Sequence, residues 1–112
     1  MNRTQCLEEA TKIINNDRQN SYGKPEKNFG TISCYWSEYL QSLGNNITIR
    51  PHDVAIMMCL LKIARLATSP TKEDNWVDLA GYAANGCEIV EGVCCAPKRS
   101  ELFDIEDDED DS

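Results

Sequence analysis

The chain of 112 residues suffices for one domain with a modest core and is too short for two. Its formal charge of −8 argues against direct binding of nucleic acid, but that charge is unevenly placed. All 11 Lys and Arg lie at or before Arg99, where 11 acids balance them, and the other 8 acids fall in residues 101–112. No apolar run is long enough to span a bilayer and no apolar stretch follows Met1 to Thr4, so the sequence reads as cytoplasmic, with no membrane association expected.

The predicted elements are all helical, a compact bundle of about four helices in residues 1–96 with a disordered acidic tail in 97–112. A first helix is expected from about Thr4 to Asn16, where Cys6, Leu7, Ala10, Ile13 and Ile14 recur at helical spacing. Asn2 and Gln5 have the separation of a capping pair. The turn-rich stretch DRQNSYGKPEKN then reads as a loop. A second helix is predicted from Phe29 to Leu43, with Phe29, Ile32, Trp36, Tyr39, Leu40 and Leu43 on one face and Gly44 as its C-terminal cap. Pro51 opens a third, in which Asp53 complements the N-terminal dipole. Its core, VAIMMCLLKIARL, is apolar almost all round and reads as the central, most buried helix. A fourth runs from about Asn75 to Glu91, where small residues at Ala80, Gly81, Ala83 and Ala84 permit close helix approach.

Of the six cysteines, Cys6, Cys34, Cys59 and Cys87 fall on apolar stripes and read as reduced and buried, while Cys94 and Cys95 have no zinc-site spacing. The tail ELFDIEDDEDDS repels itself and reads as solvated, with docking to a basic partner through Leu102, Phe103 and Ile105 as the alternative.

Three polar groups interrupt the pattern. They are the loop with Arg18, Tyr22 and Gly23; the Lys62 and Arg65 pair on the apolar third helix; and Asp74, Asn75 and Asp78 opening the fourth. Each has a structural explanation, as a turn, as snorkelling cations or as a helix cap. Together they describe a polar pocket, because Asp74 and Asp78 share a face and a buried Lys62 or Arg65 needs a carboxylate or a ligand anion opposite it. Arg and Lys suit phosphate, and Tyr22, Tyr82 or Trp76 offers a face for a base. The expected partner is a nucleotide or nucleotide-derived small molecule, although an internal salt-bridge network fits the same residues.

The segments DRQNSYGKPEKNF, DVAIMMCLLKIARL and EDNWVDLAGYA, in that order, resemble an uncharacterised family of small bacteriophage and prophage proteins over roughly Leu7 to Glu91. More distantly, the YG loop, K-x-x-R helix and D-x-x-x-D helix are similar to MazG-like all-α nucleoside triphosphate pyrophosphatases. That likeness implies a Mg2+ cofactor and nucleotide hydrolysis. The metal pattern is incomplete, since Lys12 stands where a third Glu after Glu8-Glu9 belongs, leaving Asp74 and Asp78 as candidate metal ligands. The expected function is a phage accessory protein that binds a nucleotide in the host cytoplasm. Catalysis is left open, and the alternatives are sequestration of a nucleotide immune signal and interaction through the acidic tail. A homo-oligomer is expected.

Overall fold

A computed structural model of the chain describes residues 1–17 and 25–92, and every regular element among them is helical. Helix α1 (Arg3–Lys12) starts on the expected capping box, in which Asn2 Oδ1 accepts the Gln5 N–H at 2.8 Å and Gln5 Oε1 accepts the Asn2 N–H at 2.9 Å. It continues into one π-helical turn, Ile13–Asp17. Helices α2 (Pro25–Ser42), α3 (Pro51–Thr68) and α4 (Glu73–Gly92) follow. The loop residues Arg18, Tyr22 and Gly23, the acidic tail, and Cys94 and Cys95 lie outside the described residues.

The long α4 forms the spine. Helix α3 packs along it most extensively, α1 packs on another part of its surface, and α2 leans mainly on α3. Phe29, Val54, Ala55, Tyr82 and Ile89 make the buried core, with the Phe29 and Tyr82 rings tilted at 32° and 6.2 Å between centroids. The end of α2 is as expected: Gly44 has φ +96°, a left-handed conformation that a side chain would strain.

Three expectations are corrected. The buried row of α2 is Phe29, Gly30, Ser33 and Ser37, while Tyr39 and Leu43 are exposed. Small serines allow the closer approach, and each hydroxyl can be satisfied on the backbone. Ser33 donates to the Gly30 carbonyl at 2.8 Å. Ser37 donates to the Ser33 carbonyl and accepts the Ile49 N–H, both at 2.7 Å, which pins the connector before α3. Second, α3 is not covered all round: Ile56, Met57, Leu60, Leu61 and Ile63 are exposed, because four helices in this arrangement cover only part of its circumference. Third, none of the four cysteines among the described residues is fully buried; Cys87 is exposed, and the partly buried Cys59 has its thiol pKa pushed up by burial.

The start of α3 carries a pH-sensitive contact. Partial burial pushes the Asp53 pKa up, but the opposing pulls are stronger: the Arg50 guanidinium and N–H hydrogen-bond its carboxylate at 3.0 and 2.9 Å, and the charges of Arg50 and His52 add to them. The net pKa lies below the ordinary value. A depressed folded-state pKa gives stability that is present above the unfolded value, near 3.9, and lost as pH falls through the folded one. Asp53→Asn should therefore cost about 0.5 kcal/mol at neutral pH, allowing for solvent screening. The difference in Tm from wild type should close under acid, read by thermal unfolding across a pH series.

Candidate functional site

Residues 75, 78, 82, 85 and 89 recur at three- and four-residue steps and so form one stripe along α4. In this sequence the stripe reads Asn75, Asp78, Tyr82, Asn85, Ile89, and all but Asp78 are buried. Four polar side chains in succession on the inward face of a central helix are unusual where apolar packing would suffice.

Lys62 on α3 faces this stripe. Its side chain is 11% exposed, and Nζ lies 2.9 Å from Asp78 Oδ2, whose side chain is 21% exposed. A charge removed from water needs such a partner, and Asp78 supplies it. No buried side-chain polar atom among the described residues is left without a hydrogen-bond partner.

Above the stripe lies the π turn. Ile13 and Ile14 close over Asp78, Gly81, Tyr82 and Asn85 around a cavity of about 10 Å³, the room of one water. The packing at Gly81 is close, since a β-carbon there would stand 3.3 Å from Ile14 Cγ2. A π turn has one residue more per backbone hydrogen-bonded ring than an α-helix, and such turns occur frequently at functional sites.

The structure brings together only some of the residues that the sequence singled out. Lys62 pairs with Asp78, and Asn75 and Tyr82 are buried on the same face of α4, in the polar seam between α3, α4 and α1. Arg65 and Asp74 are exposed and form no ion pair with the described residues, so the expected cationic pair is divided between interior and surface. Asp74 stays a turn away from Asp78 on the outer part of α4, and no group of three or more His, Cys, Asp or Glu among the described residues is arranged to hold a metal ion. Trp76 is half-exposed, its indole N–H donating to the Pro70 carbonyl at 2.9 Å. Sequence reading missed Asn85. Its signal was available, a polar residue ten positions after Asn75 on the same helical face. Among the described residues no helix is long and apolar enough to cross a membrane.

Comparison with known proteins places these features in a family. The chain is 41% identical over 81 residues to the Gene 55 protein of Mycobacterium phage D29, an alignment covering 72% of this chain and 49% of that protein. With the Gene 55 protein of Mycobacterium phage L5 it is 40% identical over 77 residues, covering 69% and 47%. The chain thus spans about half the length of these curated relatives. No solved structure matches. Residues 5–90, which hold the seam and the four helices around it, match the model of a domain of unknown function, and the chain belongs to that family, DUF6378, which is similar in sequence to proteins encoded by bacteriophages.

Proposed function

We propose that this chain is a phage accessory protein of the host cytoplasm that binds a nucleotide or nucleotide-derived phosphate ligand at the polar seam, with Lys62 as the cation that meets phosphate. The observation that carries the reading is the buried Lys62 ammonium, held by Asp78 at 2.9 Å in a seam of otherwise uncharged polar groups. A phosphate oxygen can replace the Asp78 carboxylate on Nζ without leaving the ammonium unpaired. Asn75, Tyr82 and Asn85 lie on the same buried face of α4 as Asp78 and bring two amides and an aromatic ring to the seam.

The gap of about 10 Å³ beneath the π turn is far below the roughly 300 Å³ of a small-molecule pocket. Entry of a ligand therefore requires the π turn, with Ile13 and Ile14, to move away from α4. Binding without hydrolysis is the preferred form, because Mg2+ would compete with Lys62 for Asp78 and gain only Asp74 beside it. Pyrophosphatase chemistry, which a MazG-like relationship implies, and sequestration of a host nucleotide signal are distinguished by the fate of the ligand.

Thermal shift against nucleoside triphosphates, with and without Mg2+, and against cyclic dinucleotides tests the proposal. A true ligand at a hundredfold excess over its Kd should add about 2.7 kcal/mol. The paired substitution Lys62→Met with Asp78→Leu should remove the shift while leaving the fold intact. Ligand recovered unchanged favours sequestration, and pyrophosphate release that depends on Mg2+ favours the enzyme. Absence of a shift with every nucleotide overturns the reading.

A further inference from the structure

A second feature adjoins the seam, with Tyr82 bordering both. Between α3 and α4 an open groove of about 490 Å³ runs along the outside of the bundle, and its lining is almost wholly apolar. Its floor holds Ala55, Cys59 and Gly86; one wall is Ile56, Leu60 and Ile63, and the other is Ala83, Cys87 and Val90. Ile56, Leu60 and Ile63 are 54%, 57% and 49% exposed. No Asp, Glu, Lys or Arg lines the groove, and His52 stands in it.

We propose that this face is where a second copy of the chain docks, making a two-fold dimer in which α3 of each copy lies in the α3/α4 groove of the other. Shape favours this occupant. Ile56, Leu60 and Ile63 at positions i, i+4 and i+7 form a ridge, and the small residues Ala83 and Gly86 leave a furrow beside it on the same face. Ridge and furrow on one face are self-complementary under a two-fold rotation, so the contact closes at two copies. Charge favours it as well. An uncharged face offers nothing to a strongly acidic or basic partner, and positive and negative side chains balance over residues 1–100, so two bodies do not repel.

Extent favours it too. Helix α3 of 18 residues is about 27 Å long, and Ile56, Leu60 and Ile63 with Val90 across the groove, each about half exposed, form a contiguous apolar patch of roughly a few hundred Å², the centre of an interface whose standard size is about 800 Å² per partner. Exposed apolar patches of that extent are uncommon on monomers. The proposal does not depend on ligand binding at the seam, which lies on the α1 side of α4.

Sedimentation equilibrium of the full 112-residue chain over a concentration series should give twice the 12.6 kDa of one copy. Leu60→Glu and Ala83→Arg each place a charge in the interface at a residue exposed in the single copy. Both should retain helical circular dichroism and weaken dimerisation at least tenfold. Leu43→Glu, at an exposed residue just after α2 that does not line the groove, should stay dimeric. A monomeric mass at every concentration overturns the proposal. If the full chain is monomeric but dimerises once residues 100–112 are removed, the tail is the occupant and the proposal also fails. A dimer that survives both groove variants but is lost with Leu43→Glu overturns the assignment to this face.

Discussion

Replacing Lys62 with Met should lower stability by about 2 kcal/mol, while replacing Lys62 with Met and Asp78 with Leu together should be neutral or stabilising. Removing one partner of a fully buried ion pair costs roughly 3–5 kcal/mol because a charge is left in a poor solvent. Here the Asp78 side chain keeps 21% of its exposure and recovers some hydration, which lowers the expected loss. In the double variant no charge remains, and Met with Leu fills a similar volume. Thermal unfolding reads both outcomes, since each kcal/mol moves Tm by about 4–8 °C in a domain of this size. A double variant as unstable as the single one would show that the pair holds the helices together beyond satisfying its own charges. A double variant that is stable yet still responds to nucleotide would remove Lys62 from the proposed ligand site.

Two glycines on α4 should respond to substitution with opposite signs. At Gly86 a β-carbon would lie 3.0 Å from the Ala55 β-carbon, an atom carried directly by the α3 backbone and unable to swing aside. Gly86→Val adds two further methyl groups at that point and must drive α3 from α4, the most extensive contact in the bundle. The expected cost of overpacking, about 2–3 kcal/mol, exceeds the roughly 0.5 kcal/mol gained in helix propensity. At Gly81 the nearest atom is Ile14 Cγ2 at 3.3 Å, the end of a side chain that needs to give by only a few tenths of an ångström. Gly81→Ala should therefore be neutral to mildly stabilising, because up to about 1 kcal/mol of helix propensity opposes a small repacking. Chemical denaturation of both variants checks the pair. A stabilised Gly86→Val would mean that α3 and α4 are not held at the separation seen here.

Local sequence determined the helices. The Asn2 and Gln5 capping pair, Gly44 at φ +96°, and Pro51 at the start of α3 each act within a few residues, so their consequences follow from the chain alone. Asn75, Asp78 and Tyr82 were legible as candidate residues of the fourth helix, as was the need of a buried Lys62 or Arg65 for a carboxylate or a ligand anion. Tertiary structure alone decided which of two nearly equivalent outcomes each helix took. On α2 the apolar pattern pointed rightly to Phe29, Ile32 and Trp36, which pack in or on the core, but Tyr39 and Leu43 are exposed and packing buried Ser33 and Ser37 instead, whose hydroxyls bond to the backbone of Gly30, Ser33 and Ile49. On α3 Lys62 and Arg65 are only three residues apart. The position of α4 put Asp78 within 2.9 Å of Lys62 and left Arg65 in solvent, a difference that no periodicity in the sequence encodes. The exposed Ile56, Leu60 and Ile63 follow from the same cause: hydrophobicity says that a surface is to be covered, and only the arrangement of helices says whether the chain covers it itself.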